Sequence, residues 1–252
     1  MPSQTPLIKW LEANQKFPPT TQAWREGSPA PGLLAAGGAL NVETLRQAYS
    51  QGIFPWFHQD QPILWWSPNP RMVLDVSKFR LHPSFKKTIR KFCRTLTSEI
   101  RIDSAFEKVI QACATSPRKG QPGTWIVPNM IDAYCDLHRA GLAHSVEVWV
   151  DGNLVGGLYC VALGKSVFGE SMFSRSSSAS KIALAALVSF CRYHGIQQID
   201  CQQNTRHLAS LGACEISREL FLEQVRSGIS QSNPAWCFET VFWQEILHSK
   251  PI

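Results

Sequence analysis

Hydrophobic positions recur at helical spacing along several stretches of the chain. The clearest is residues 82–96, where Pro83 stands in the first turn and an apolar stripe is flanked by basic residues. The stripe consists of Phe85, Ile89, Phe92 and Leu96. The same periodicity predicts helices over residues 41–51, 103–115, 128–141 and 176–195. Asn41 caps the first and Gly52 ends it, whereas serines cap the last and Gly195 closes it.

Strand-like alternation follows in the second half. The stretch HSVEVWVDGNLVGGLYCVALGKSVFGESMF turns at Asp151-Gly152, which predicts a hairpin and one further strand. A buried strand is predicted at residues 199–202, and a short helix at HLASLGA. Residues 1–77 are rich in Pro, Gly and Trp, which predicts a small loop-rich unit. The tail from residue 234 is expected to be only partly ordered.

The order of these elements resembles an N-acetyltransferase core: a hairpin, a helix, a strand, and a short helix that ends at a glycine before a last strand. The fold class is therefore predicted as mixed, α+β or α/β. We expect a small N-terminal α+β domain at residues 1–77 and an acetyltransferase-like (GNAT-like) catalytic domain at residues 78–252. Such folds bind the pyrophosphate of coenzyme A with a glycine-rich loop before the helix. Here that place holds FSRSSSASK, without glycine, so coenzyme A is not expected.

Composition narrows the class of protein. The chain has 252 residues, of which 44% are hydrophobic and 17% charged, so a sizeable folded core is expected. The formal net charge of +6 favours a polyanionic partner. The eight cysteines form no C-x-x-C pair, which argues against a structural metal and fits reduced thiols in the cytoplasm. Neither a signal pattern nor a membrane-spanning apolar stretch is recognised.

Acidic side chains in the predicted sheet are the first candidates for chemistry. Asp200 and Gln202 share one face of a strand about 7 Å apart, because side chains alternate along it. Glu170 ends the predicted neighbouring strand, so Glu170 and Asp200 are expected to face one cleft that takes a cationic guest. A structural alternative stays open, in which Glu170 pairs with Arg175 and Asp200 caps a turn.

Aromatic and basic residues add two weaker signals. Several tryptophans are expected either to form an apolar pocket or to pack in the core. They are Trp56, Trp65, Trp66 and Trp125. The helix at 82–96 carries five cations that would contact a phosphate backbone, although a merely solvated face has the same composition. The five are Lys86, Lys87, Arg90, Lys91 and Arg94.

Short motifs in a fixed order carry a family resemblance. They are GIFPWF, ILWWSPNPR, GTWI, HS-x-EVW, LVGG-x-Y, GESMFSR-x-x-x-ASK, IDCQ and HLASLGACEI. Together they closely resemble the bacterial leucyl/phenylalanyl-tRNA–protein transferases, from about residue 37 to residue 215. The resemblance implies an enzyme that moves Leu or Phe, and Met less well, from aminoacyl-tRNA to a protein α-amine. The acceptor would begin with Arg or Lys, and its product would be degraded by the N-degron pathway.

The resemblance also implies roles for individual residues. Trp56 and Trp125 would line the aminoacyl and terminal-adenosine region, and Glu170, Asp200 and Gln202 would hold and activate the acceptor. Further candidates for substrate binding are Leu158, Phe168, Phe173 and Asn204. No metal, coenzyme A or membrane is expected, and the protein is expected to be a monomer. One position departs from the family pattern, because Thr205 stands where Asn is usual and Asn204 precedes it.

The residues alone leave three alternatives. A coenzyme A acetyltransferase would share the fold but needs the missing glycine loop. A peptidoglycan-type aminoacyl transferase would lack paired acids for a basic N-terminus. A noncatalytic RNA-binding module would explain the basic helix but not Glu170 and Asp200.

The reaction that the family resemblance implies needs no powerful base, because the aminoacyl ester is already activated and the α-amine has a pKa near 8. Positioning of the two substrates is therefore expected to supply most of the rate.

Overall fold

A computed structural model describes residues 7–116 and 126–247. The helices are α1 (Val42–Ser50), α2 (Pro83–Arg94), α3 (Phe106–Thr115), α4 (Pro128–Arg139), α5 (Ala179–Tyr193), α6 (Arg206–Ser210), α7 (Arg218–Ile229) and α8 (Gln244–Leu247). The strands are β1 (Lys9–Leu11), β2 (Leu33–Gly37), β3 (Phe54–Pro55), β4 (Leu64–Trp66), β5 (Arg71–Asp75), β6 (Ser98–Ile102), β7 (Ala143–Val150), β8 (Asn153–Leu163), β9 (Ser166–Ser174), β10 (Gln198–Gln202) and β11 (Cys214–Ile216).

Two sheets organise these elements into a mixed α/β fold. A four-stranded sheet has the order β1-β2-β4-β3, and a seven-stranded sheet has the order β11-β5-β10-β9-β8-β7-β6. Hydrophobic residues fill both faces of the larger sheet, one under α5 and the other under α1, α3, α4 and α7. The division into domains at residue 77 stays a prediction, but β5, which precedes it, pairs with β10 and β11 in the larger sheet.

The predicted helices are confirmed, with differences at their ends. Asn41 caps α1 by accepting a hydrogen bond from the Thr44 backbone N–H. The stripe of α2 buries Ile89 and Phe92, but Leu96 lies beyond the end of the helix and is fully exposed. A serine stands at the N-cap of α5, as predicted, but Ser178 has a φ of 67° and its side chain makes no capping hydrogen bond. The Ser174 hydroxyl instead accepts from the Ser180 backbone N–H at 3.2 Å.

Residues 234–247 of the tail are more ordered than predicted, and residues 248–252 lie outside the described residues. A 3-10 helix at Thr240–Trp243 and α8 bury Phe242, Trp243 and Ile246 against α5. Neither the strand β6 nor the helix α7 was predicted, whereas β11 is the last strand expected after the glycine of HLASLGA. Ser217 starts α7 by accepting a hydrogen bond from the Leu220 backbone N–H. In residues 7–116 and 126–247, no helix is long and apolar enough to cross a membrane.

The centre of the large sheet opens between its two parallel strands. The strands β9 and β10 pair at only two positions, Ile199 with Val167 and Asp200 with Phe168. Directly afterwards β10 bulges, so that Gln202 takes the register position next to Asp200 opposite β5. Beyond these two pairs β9 and β10 are no longer paired with each other, and a cavity lies between them.

Candidate active site

The cavity between β9 and β10 has a polar edge and an apolar wall. Its volume is about 270 Å³. The apolar wall is built mainly from Leu158, Met172, Leu184, Leu187 and Leu208, which come from β8, β9, α5 and α6. Glu170 and Gln202 stand at the polar edge. An apolar side chain bound against this wall would therefore place its polar backbone groups near a carboxyl and an amide.

Glu170 is held by partners from three other elements. The Tyr49 hydroxyl of α1 donates to Glu170 Oε1 at 2.7 Å, and the Gln202 side-chain amide donates to the same oxygen at 2.9 Å. The Tyr134 hydroxyl of α4 lies 3.3 Å from Oε2. The two tyrosine hydroxyls are themselves 2.5 Å apart. These contacts fix the carboxyl group in one orientation at the cavity edge.

The surroundings also change the charge state of Glu170. Its pKa is raised to about 8, chiefly because the enclosing protein withdraws the carboxyl from water, and also because Asp200 is near. The pKa of Tyr49 and that of Tyr134 are raised well above their usual value, mainly by burial and then by Glu170. Both phenols are therefore protonated at neutral pH and able to donate hydrogen bonds.

Asp200 has a different environment, because a buried arginine neutralises it. The Arg71 guanidinium donates from Nε to Asp200 Oδ1 at 2.8 Å and from Nη2 to Oδ2 at 2.6 Å. Both side chains are only 1% exposed. Arg71 also donates to the Gly52 carbonyl and lies between the rings of Phe54 and Phe221, at 4.7 and 4.5 Å. Arg71 thus occupies the place that was predicted for a cationic guest of Asp200.

Gln202 connects the two carboxyl groups. Its backbone N–H donates to Asp200 Oδ1 at 2.9 Å, and its side chain donates to Glu170. Its φ of 62° lies in the left-handed region, which is uncommon for a residue with a side chain. The predicted trio therefore lines one cavity, as expected, but Gln202 links the two carboxyl groups and the charge of Asp200 is already paired with Arg71. The predicted Glu170–Arg175 pair is absent, since Arg175 donates to the Leu154 carbonyl.

Of the other predicted substrate residues that the structure describes, only Leu158 lines this cavity. Phe168 is buried and packs against the Tyr49 ring at 5.1 Å, and Phe173 is buried in the core. Asn204 is exposed between β10 and α6. Thr205 caps α6 by accepting from the Leu208 backbone N–H at 3.2 Å. Thr is itself a good N-cap, so Thr205 starts α6 without an Asn at this position.

The tryptophans divide between core and surface. Trp65 is fully buried and donates to the Gly37 carbonyl, so it is a core residue. Trp56 and Trp66 are partly exposed and pack edge to face at 5.4 Å, outside the lining of the cavity. Trp125 lies outside the described residues, which end at residue 116 and resume at residue 126.

The basic helix presents its cations to solvent. Lys87, Arg90, Lys91 and Arg94 are exposed and Lys86 is partly exposed. Within the described parts of the chain, none of these five pairs with a carboxylate. They are therefore available to an anionic partner, and their role in binding stays a prediction.

Sequence reasoning missed the residues that define the site most closely. Tyr49 and Tyr134 are distant in sequence from Glu170 and show no motif of their own. Arg71 ends the quoted ILWWSPNPR motif, but nothing in its neighbours indicates its partner. Leu184 and Leu187 lie in an apolar helix, where core packing is the default interpretation. Among the described residues, no group of three or more His, Cys, Asp and Glu could hold a metal ion.

Comparisons with known proteins agree on one family. The model of the leucyl/phenylalanyl-tRNA protein transferase family matches residues 73–226, and the model of that family's N-terminal domain matches residues 38–69. A leucyl/phenylalanyl-tRNA–protein transferase of Albidiferax ferrireducens is 71% identical over 247 residues, covering 98% of this chain and 97% of that protein. One from a Polaromonas species is 62% identical over 240 residues, covering 95% and 94%.

Solved structures with a similar arrangement are distant in sequence. A GCN5-related N-acetyltransferase from Kribbella flavida is 11% identical, covers 67% of this chain and 58% of its own, and gives a TM-score of 0.35. The structure of L-PGS from Bacillus licheniformis is also 11% identical, with coverage of 70% and 57% and a TM-score of 0.37.

Proposed function

The chain belongs to the leucyl/phenylalanyl-tRNA–protein transferase family, and we propose that it transfers Leu or Phe, and Met less well, to proteins that begin with Arg or Lys. The donor is aminoacyl-tRNA and the acceptor is the α-amine. The new N-terminal residue marks the product for degradation by the N-degron pathway. The observation that carries the proposal is the apolar cavity between β9 and β10 with Glu170 and Gln202 at its edge.

The apolar wall supports the choice of donor. A Leu, Phe or Met side chain gains free energy by leaving water for the leucine-lined wall, whereas a charged side chain would lose its hydration there. Shape alone discriminates weakly between apolar side chains, because one methylene is worth only about 1–3 kcal/mol. This weak discrimination suits an enzyme that accepts more than one apolar amino acid.

The polar edge supports the choice of acceptor. In the proposed step the α-amine nitrogen attacks the ester carbonyl, a C–N bond forms, and the C–O bond to the terminal ribose breaks. The amine loses one proton and the ribose oxygen takes one. Glu170 and the Gln202 side chain are within reach of an amine at the cavity edge. Asp200 acts through its bond to the Gln202 backbone, because both of its oxygens already bind Arg71.

The rate requires positioning more than a strong base. An α-amine has a pKa near 8, so roughly a tenth of it is neutral at pH 7. The ester is activated already, and holding two reactants in contact is worth several orders of magnitude. Neither coenzyme A nor a metal takes part in the proposed step. The tRNA is held mainly through its phosphates by the exposed cations of α2.

The direct test is transfer of labelled Phe from Phe-tRNA to a peptide that begins with Arg, beside a matched peptide that begins with Ala. Transfer to the first alone is expected. Leu184→Trp fills the cavity and should reduce Phe transfer at least tenfold, whereas Leu220→Trp, at an exposed position on α7, should not. Acetyl transfer from acetyl-coenzyme A with no Phe transfer would contradict the proposal.

A further inference from the structure

Glu170, Tyr49 and Tyr134 make three oxygen–oxygen contacts with one another, but the two tyrosines have only two hydroxyl protons to donate. Three oxygen pairs are in contact: Tyr49 with Glu170 Oε1 at 2.7 Å, Tyr49 with Tyr134 at 2.5 Å, and Tyr134 with Glu170 Oε2 at 3.3 Å. They form a closed ring of three groups. Each tyrosine hydroxyl has one proton to donate. The third contact is a hydrogen bond only if the carboxyl group supplies the third proton.

The distances indicate where each proton lies. Tyr49 donates to Oε1, the shorter of the two contacts with the carboxyl. The proton between the two phenols therefore belongs to Tyr134, because Tyr49 has already used its own. Tyr134 then meets Oε2 with a lone pair, and a proton on Oε2 completes the ring. An ionised Glu170 would leave two oxygen atoms facing each other without a proton between them.

From this geometry we infer that Tyr49 and Tyr134 are positioning residues that keep Glu170 protonated in the free protein, and that a cationic acceptor binds there by displacing this proton. The proton leaves for solvent, and the carboxylate that remains pairs with the cation. The second half of this inference rests on the proposed function, whereas the first half concerns the free protein alone.

The charges around the ring are consistent with a neutral Glu170. The titratable groups that face it are Tyr49 on α1, Tyr134 on α4, Tyr159 and Cys160 on β8, Asp200 on β10 and Arg71 on β5. Arg71 is the positive group among them, and it is committed to Asp200 through two hydrogen bonds. Burial and Asp200 raise the pKa of Glu170 to about 8, so the carboxyl is protonated at pH 7 without a ligand.

Removing the two phenol hydroxyls one at a time should shift the pH midpoint of the Glu170 titration in opposite directions. Tyr134→Phe removes the acceptor for the carboxyl proton and leaves the carboxylate its donors Tyr49 and Gln202, so the midpoint should fall by about one pH unit. Tyr49→Phe removes the strongest donor to the carboxylate, so the midpoint should rise. Both variants keep their rings, including the contact of Tyr49 with Phe168. Tyr193→Phe, at an exposed tyrosine outside the site, is the matched control.

Infrared difference spectroscopy of the free protein measures this directly. Subtracting the spectrum of Glu170→Gln isolates the Glu170 carboxyl band. A protonated band at pH 7 that disappears with a midpoint near 8 is expected in the native protein and in Tyr193→Phe. An ionised Glu170 at pH 7, or midpoints that move in the same direction in both phenol variants, would overturn the first half of the inference.

Peptide binding tests the second half. An Arg-starting dipeptide amide is titrated calorimetrically at pH 6.5–7 in buffers of different ionisation enthalpy, which counts the protons released. About one proton per bound peptide is expected for the native protein, and the carboxyl band should disappear on binding. Binding without loss of the band would overturn the proton displacement. The remaining outcome is that the free protein shows the protonated Glu170 band but the peptide does not bind. That result would contradict the acceptor site of the proposed function and leave the first half of the inference standing.

Discussion

Two carboxyl groups on neighbouring strands, Asp200 on β10 and Glu170 on β9, have different electrostatic environments. Arg71 binds both oxygens of Asp200 in a fully buried pair. Glu170 receives hydrogen bonds from uncharged groups only, and its pKa is raised to about 8. The comparison shows that burial alone does not decide the charge of a carboxyl group. A matched cation keeps a buried carboxylate charged, and its absence favours the neutral acid.

The largest effect is expected from breaking the buried pair. Asp200→Asn leaves the Arg71 guanidinium buried without a countercharge, so the free energy of unfolding should fall by about 3–5 kcal/mol. Chemical denaturation measures it. Glu43→Gln, which breaks the exposed Arg46–Glu43 pair, is the control and should change stability by less than about 0.5 kcal/mol. Equal stability of Asp200→Asn and the native protein would show that Arg71 finds another partner.

A change at Glu170 should instead alter the pH dependence of stability. The carboxyl ionises near pH 4.5 in the unfolded chain but near 8 in the folded one, so the native protein should lose stability as pH rises between these values. The loss should be on the order of 1–2 kcal/mol, because the side chain is partly exposed. Glu170→Gln should remove this slope. Denaturation curves from pH 4 to 9 check it, and an identical slope in both proteins would place the Glu170 pKa in its ordinary range.

Two substitutions at Gln202 distinguish the role of its side-chain amide in transfer from the cost of its left-handed backbone conformation to stability. Both Gln202→Ala and Gln202→Gly delete the amide that binds Glu170, so both should slow transfer to an Arg-starting peptide while tRNA binding persists. Gly tolerates the φ of 62°, so Gln202→Gly should be more stable than Gln202→Ala by roughly 1 kcal/mol. If Gln202→Ala transfers as fast as the native protein, the amide has no role in holding the acceptor.

The smallest effect on stability is expected at α2, which carries exposed charges remote from either carboxyl environment. Replacing Arg90 and Lys91 with Ala should change stability by less than about 0.5 kcal/mol. It should nevertheless weaken tRNA binding and reduce the slope of log affinity against log salt by roughly one for each lost phosphate contact. Lys16→Ala with Arg25→Ala removes two exposed cations elsewhere and is the control. An unchanged salt slope would make α2 a solvated surface only.

Local patterns were sufficient for most of the fold around the site. Asn41 as a cap, the Asp151-Gly152 turn and the apolar run of α5 are local signals, since each depends on residues within one or two turns of the chain. They were less informative where burial depends on distant contacts. Leu96 fits a helical stripe, but α2 ends before it and its side chain is fully exposed. The tail after residue 234 lacks a clear pattern, yet α5 supplies an apolar surface for Phe242 and Trp243.

The sequence by itself determined the family, the order of the strands and helices from residue 143 to residue 210, and the presence of Glu170, Asp200 and Gln202 on adjacent strands. Only the tertiary structure decided which of these acids is charged. Arg71 is 129 residues from Asp200, and Tyr49 is 121 residues from Glu170. The pKa of a carboxyl depends on groups within a few ångströms, and the chain brings such groups together only when it folds. Local sequence therefore identifies the acids, and folding assigns their charge.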